Sequence, residues 1–329
     1  MSTVAAPNKR YLIGLDEAGY GPKLGPLVIG ATLWSVPARL PVDSLWEKLE
    51  QVLTNRPSRD DSRLHVGDSK EVYSSSRGLA ALERSVMSLF HALDVPVQNP
   101  TDRLGFAGLV STLLGGSLPH AFDRQPWYQC EDFGLPLAAD ESEISLASST
   151  VRRGFTQSRV RLEAVRVRVV CPEVFNELTV KYGNKSEVLT RETLALLQNI
   201  WPDDAAKVEV MADKHGGRNR YLPYLTEAFP DHFFMTEAES QKLSRYRCQN
   251  ISLSFSVNSE RYLPVAVASM MAKYVRELCM EQFNRYWSEH CPAVRATRGY
   301  PVDASRFRNE IEETWRSMNL PEAILWRER

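Results

Sequence analysis

The chain has 329 residues, 43% hydrophobic and 25% charged, with a net charge of −1, an ordinary globular composition sufficient for one large domain or two modest ones. No run approaches the roughly 18 apolar residues of a membrane span, and Met1 to Arg10 lacks a signal-peptide core and reads as a short polar lead-in. Five scattered cysteines (Cys130, Cys171, Cys248, Cys279 and Cys291), with no C-x-x-C spacing, argue against a disulfide frame or structural zinc site and for a reducing, cytoplasmic compartment.

Near-neutral charge neither indicates nor forbids a nucleic-acid partner. Residues 100 to 150 hold seven acids and two bases, which leaves 38 bases against 34 acids elsewhere. Carboxylates that bind metal also lower the net charge without repelling a polyanion once the ions are present.

In chain order, Tyr11 to Leu15 predicts a strand ending on Asp16, and Leu27 to Ser35 a second. Between them Gly19, Gly21, Pro22, Gly25 and Pro26 read as a tight loop. Leu79 to Leu93 has helical periodicity. Residues 96 to 155 lose it and gain Gly, Ser, Pro and acids; they read as an inserted or lid-like segment, partly ordered by Phe106, Trp127, Tyr128 and Phe133. Arg161 to Cys171 alternates like a strand, and helices are expected at about 173 to 179 and from Glu187 to Ile200. Lys207 to Ala212 predicts a strand ending on Asp213. Tyr221 to Phe229 predicts a helix, then Phe233 to Thr236 and Ile251 to Val257 strands. A long helix follows over Pro264 to Trp287, its early face small (Ala266, Ala268, Ser269, Ala272), and a polar helix over 303 to 317. Strands first, then strands alternating with helices, predict an α/β fold over a mixed sheet, with a helical C-terminal part.

Four acids stand where chemistry is plausible. Asp16 and Asp213 each end a short apolar strand, where sites collect in α/β sheets; Glu17 follows Asp16, and Glu260 precedes the long helix. Successive strand residues face opposite ways, so Asp16 and Glu17 are expected to share a site only if the chain bends. Taken alone, the acidic pair reads as readily as a turn, Asp213-Lys214 as a surface ion pair, and Glu260 as a helix-start charge. Together, without a His or Cys cluster, they suit hard cations such as Mg²⁺.

Asp16-Glu17-Ala18-Gly19-Tyr20-Gly21-Pro22, continued by Leu24-Gly25-Pro26-Leu27-Val28, resembles the opening signature of ribonuclease HII, Asp-Glu-Ala-Gly-Arg-Gly-Pro followed by Gly-Pro-Val-Val. Asp68-Ser69-Lys70, Asp213-Lys214, Ala268-Ser269-Met270-Met271-Ala272-Lys273 and Gly299-Tyr300-Pro301 resemble that family's later motifs, in order. Asn176-Glu177-Leu178 and Lys181-Tyr182-Gly183-Asn184 are similar instead to ribonuclease HIII.

The resemblance implies a ribonuclease H-like fold over residues 11 to 329, interrupted at about 96 to 155, and hydrolysis of RNA in RNA–DNA hybrids or at ribonucleotides embedded in duplex DNA. It implies two Mg²⁺ or Mn²⁺ ions on Asp16, Glu17, Asp213 and Glu260. Counting back from the Ala-Ser helix puts the fourth carboxylate on Ser259; ribonuclease HIII has Glu in that role, so Glu260 is assigned. Gly19, Tyr20, Gly21 and Tyr300 would meet the ribonucleotide, whose 2′-OH distinguishes RNA from DNA, although Tyr20 lacks the guanidinium fork of the family's Arg. Lys70, Lys214 and Lys273 are candidates for phosphate contact. Two alternatives remain: an enzyme of the ribonuclease HIII kind, needing runs of ribonucleotides, and a non-catalytic nucleic-acid-binding module on the same fold.

Overall fold

The structure, a computed structural model, describes residues 9–58, 61–73, 78–93, 104–204 and 206–328. The polar lead-in before Lys9 and the start of the 96–155 segment, through residue 103, lie outside the described residues. The chain runs β1 (Lys9–Ala18), β2 (Leu27–Pro37), α1 (Leu45–Lys48), β3 (Leu53–Thr54), β4 (Leu64–His65), α2 (Ser69–Val72), α3 (Ala80–Ala92), α4 (Phe106–Leu114) and α5 (Glu141–Ser158). It continues with β5 (Arg161–Val170), α6 (Pro172–Tyr182), α7 (Lys185–Asn199), β6 (Val208–Asp213), α8 (Leu222–Ala228), β7 (Met235–Glu239), β8 (Leu243–Cys248) and β9 (Ile251–Ser256). It closes with α9 (Leu263–His290), α10 (Pro301–Ser317) and α11 (Glu322–Leu325).

A seven-stranded sheet of order β5-β2-β1-β6-β9-β8-β7 forms the middle layer. β1 pairs antiparallel with β2 and parallel with β6, and β6 parallel with β9; the sheet is mixed, flanked by helices, and the C-terminal part is helical, as the sequence predicts. Alternation along β1 sends Leu12 into one apolar cluster with α9, and Tyr11, Ile13 and Leu15 into another with α7. A third cluster joins the far end of α9 (Phe283, Trp287) to α10 and α11.

α9 lies unusually close to the sheet because glycines on β1 and β2 leave room. A Cβ on Gly14 would stand 2.1 Å from the carbonyl carbon of Pro264, and one on Gly30 2.4 Å from the Ala268 oxygen. Thr32 Oγ1 ties the helix start down by donating to the Pro264 carbonyl at 2.7 Å.

Two expectations change. β1 does not bend at Asp16-Glu17; it pairs with β2 without interruption as far as Ala18. The strand expected from Phe233 begins instead at Met235, Phe233 being 93% exposed, and pairs with β8, which the sequence reading did not include. The described part of the 96–155 segment is bedded on the body. Phe106, Phe122, Tyr128 and Phe133 pack on one another, and Trp127 meets Phe283 of α9 edge-on at 5.0 Å. Its 137–139 turn donates three backbone N–H groups to the buried Glu83 carboxylate of α3, which also accepts from Tyr274 on α9 at 2.7 Å. No helix among the described residues is long and apolar enough to cross a membrane, and none of the five cysteines is in a disulfide.

Candidate functional site

Because β1, β6 and β9 are parallel, their C-terminal ends share one edge of the sheet. β1 and β6 pair as far as Leu15 and Ala212, so the next residues in register are Asp16 and Asp213. Asp213 in turn pairs with Ser256, the last residue of β9, just before the 3₁₀ turn Ser259–Arg261 that carries Glu260. Asp16 lies on the α9 face and Glu17 on the α7 face. They meet without a bend because β1 runs past its last pairing with β6, leaving that flank of the strand open to side chains from either face.

These acids act on one another's ionisation. Burial, then the charge of Glu17, raises the Asp16 carboxyl well above its usual range, against a hydrogen bond from Ser269; Glu260 and Asp213 add to the rise. Glu17 is pushed up to about 7, by burial and then by Asp213, with Lys70 opposing. Glu260 is raised by burial, then by Asp213 and Asp68. Like charges held together out of water disfavour ionisation, and an added cation relieves that cost.

Ser259, fully buried, donates its hydroxyl to Asp213 Oδ1 at 2.9 Å and its backbone N–H at 3.4 Å. It orients Asp213, while Glu260 lines a cleft of about 430 Å³ with Asp213, Asp68, Lys70, Arg56 and Arg261. Among the described residues, no three His, Cys, Asp or Glu side chains form a ready-made metal-holding group. The donor chemistry does fit a hard cation: four mutually repelling carboxylates with oxygen ligands alone.

Lys70, exposed at the start of α2, faces this cluster; burial lowers its pKa, but Asp68, Glu260, Asp16 and Asp213 together raise it. Lys214 does not reach the cluster. Its ammonium is buried in a cage of oxygens, donating to the carbonyls of Arg218 (3.0 Å) and Ser240 (2.6 Å), Asn219 Oδ1 (2.9 Å) and Ser244 Oγ (3.1 Å). The physical reason is alternation: one residue past Asp213, the side chain leaves by the other face. Lys273 pairs with Glu277 at 2.7 Å and lies over the Tyr73 ring, so it too is spent within the protein.

The glycine loop is built for close approach. Gly19 has φ +89°, and a Cβ there would stand 2.6 Å from both Arg276 Nε and the Pro26 oxygen; nothing lies within 4 Å of a Cβ on Gly21, which faces open space. Tyr20 is half-buried, with Lys185 Nζ 4.7 Å from its ring centre. Tyr300, 52% exposed, is set beside this loop, since the preceding Gly299 carbonyl accepts from the Lys23 N–H at 2.6 Å.

The sequence reading missed three supports. Ser269 bonds Asp16, and its hydroxyl stands 3.1 Å from that of Ser69; both serines lie in motifs quoted above, and that was the available signal. Arg276, buried on α9, donates to the carbonyls of Arg298 (3.0 Å) and Leu24 (3.4 Å), joining the glycine loop to the Gly-Tyr turn. The segment at 326–328 pairs with the same loop through the Leu24–Trp326 bridge and the Arg327 N–H to Lys23 carbonyl bond at 2.8 Å, contacts that no local pattern announces.

No family model matches the chain, and no curated protein does. Among solved structures it is similar to the ribonuclease H2 of Pyrococcus horikoshii OT3, at 14% identity, 96% of this chain, 92% of that one and a TM-score of 0.49. It is similar to the RNase HII of Archaeoglobus fulgidus, solved in complex with PCNA, at 15% identity, 97% and 94% coverage and a TM-score of 0.42. A third, Bst-RNase HIII in complex with Mn²⁺, shares 13% identity over 97% of this chain and 66% of that one, with a TM-score of 0.44.

Proposed function

We propose that the chain is a metal-dependent endonuclease that hydrolyses the RNA strand of RNA–DNA hybrids, or cuts at ribonucleotides embedded in duplex DNA. The observation that carries this is the gathering of Asp16, Glu17, Asp213 and Glu260 at one edge of the parallel strands, each of Asp16, Glu17 and Glu260 with its pKa raised by burial and by its acidic neighbours. These four would hold two Mg²⁺ or Mn²⁺ ions. When bound, such ions supply the charge that activates water and stabilises the leaving oxygen in phosphodiester cleavage.

The protein's own groups set the geometry. Ser269 and Ser259 orient Asp16 and Asp213, Gly19 lets the loop close on Arg276 and Pro26 so that the open backbone at Gly21 can meet a ribose 2′-OH, and Tyr300 offers a stacking face beside it. Lys70 faces the scissile phosphate. Water adds to phosphorus, the bond to the ribose 3′-oxygen breaks, and the product keeps a 5′-phosphate. Residues 96–155 are, in this reading, an insertion within one ribonuclease H-like domain.

The test is cleavage of an end-labelled hybrid in Mg²⁺ and in Mn²⁺, wild type beside Asp16→Asn. The variant should lose about a hundredfold or more in rate, since even changes behind metal ligands cost about 10–100-fold, while melting no lower than wild type. Undiminished cleavage by Asp16→Asn sinks the proposal. A duplex with one ribonucleotide, run beside an all-RNA hybrid, separates cleavage of the ribonuclease HII kind from the HIII kind.

A further inference from the structure

A second concavity, of about 460 Å³, is lined by Tyr20 and the glycine loop, by α6 and by the start of α7. Among the described residues its lining holds three cationic ones, Lys23, Lys185 and Arg327, and no carboxylate. We propose that it is a subsite for one phosphate of a nucleic-acid backbone, gripped by Arg327 and Lys185. The identity of the strand rests on the nuclease reading above; the anion preference does not.

Arg327 is the strongest sign. It is 1% exposed, yet among the described residues only one of its guanidinium nitrogens is satisfied: Nη2 donates to the Pro22 carbonyl, while Nε and Nη1 find no partner there. The guanidinium lies over the Phe175 ring, 4.9 Å from its centre. A buried cation with unmet N–H groups and no counter-ion is costly, and a phosphate is the ligand whose oxygens match a guanidinium fork. The local field is already positive: burial and then the nearby Arg276 hold Arg327 down to about 9.

The position is fixed in advance. The backbone around Arg327 is anchored on both flanks by Asn176 of α6, which donates to the Trp326 carbonyl at 2.8 Å and accepts from the Glu328 N–H at 3.0 Å. Lys185 is the first residue of the fifteen-residue α7, whose N-terminus presents the positive end of its dipole to the same space. Among the described residues no carboxylate pairs with Lys185. Tyr20 borders this pocket and also feels the charge of Glu17, so a strand crossing Tyr20 from the acidic edge carries a neighbouring phosphate into it. The pocket also gives the Lys181-Tyr182-Gly183-Asn184 stretch a place, because Gly183 and Asn184 form its wall.

Two measurements on the full chain decide it, each with Lys185→Met and Arg327→Met; the first variant covers the case in which the buried change fails to fold. Thermal melting in sodium phosphate against chloride at matched ionic strength should show a rise for wild type that both variants lose. Anisotropy of a labelled hybrid in EDTA, titrated with salt, should show binding weakened about tenfold and a log–log salt slope reduced by about one in Lys185→Met. If phosphate protection and slope match wild type in the variants, the subsite is overturned. If phosphate protection is lost but the slope stays, the pocket takes a free anion and its assignment to a backbone is overturned. If wild type cleaves no hybrid while both readouts change as stated, the nuclease reading fails and the subsite stands.

Discussion

Gly14→Ala should be among the most damaging single-methyl changes available to this protein. The added carbon would stand 2.1 Å from the Pro264 carbonyl carbon, 2.3 Å from its oxygen and 2.4 Å from the Val265 nitrogen, where ordinary contact is about 3.5 Å or more. All three atoms are backbone at the start of a twenty-eight-residue helix, so no side chain can swing aside and α9 must lift by about 1.4 Å. Overpacking of this kind costs about 1–3 kcal/mol, and the Thr32–Pro264 hydrogen bond stretched by the same movement about 1 more. The entropy gained by replacing glycine returns about 0.4–1 kcal/mol, leaving a net loss of roughly 2 kcal/mol. The lift would also draw Ser269 from Asp16. Urea unfolding followed by tryptophan fluorescence measures the loss, with Gly116→Ala as control because nothing lies within 4 Å of a Cβ there. A midpoint for Gly14→Ala equal to that of the control would refute the account of how α9 reaches the sheet.

Lys214→Met should lower stability by about 1–3 kcal/mol, since it strands buried acceptors, yet leave the salt slope of hybrid binding as in wild type. A slope reduced by one would mean that Lys214 meets phosphate after all. Glu277 lies below its ordinary pKa: burial pushes it up, but Lys273 first, then Arg276 and Tyr73, more than offset this. A depressed acid stabilises the fold above its unfolded pKa of about 4.5 and loses that contribution as pH falls through the folded value. Melting temperature should therefore fall more steeply below about pH 4.5 in wild type than in Glu277→Gln, and parallel curves would show that the ion pair contributes nothing.

The strands that position the acids were legible because short apolar stretches such as Tyr11 to Leu15 and Val210 to Ala212 end abruptly on an aspartate, and α9 because it is long and opens with a face of small residues. α5 was not recognised, although its buried residues Ile144, Ala147, Val151, Gly154 and Phe155 keep helical spacing and Asp140 caps its start; two of the five are small and serines and threonines fill much of the rest, which blurs the stripe. β8 was hidden because its inward positions alternate Ser244, Tyr246 and Cys248 with outward arginines, so apolar character does not track burial. In the site, the choice between Ser259 and Glu260 was open on spacing alone. In the structure the serine is bound to Asp213 and the glutamate lines the cleft. Lys214 misled because successive residues along a strand leave by opposite faces, so its place next to Asp213 in the sequence carries its side chain away from the acids.

The place of β1 in the sheet also has a cost in time. Its partner on one side, β2, follows after a short loop, but its other partner, β6, begins at Val208, roughly 190 residues beyond Leu15. At synthesis rates of roughly 5–20 residues per second, the apolar edge from Tyr11 to Leu15 waits about 10 to 40 s on the ribosome before its neighbour exists. An unpaired apolar strand edge is a template for the wrong partner, so the nascent chain is most vulnerable to aggregation in that interval, and the acidic edge cannot assemble until it closes.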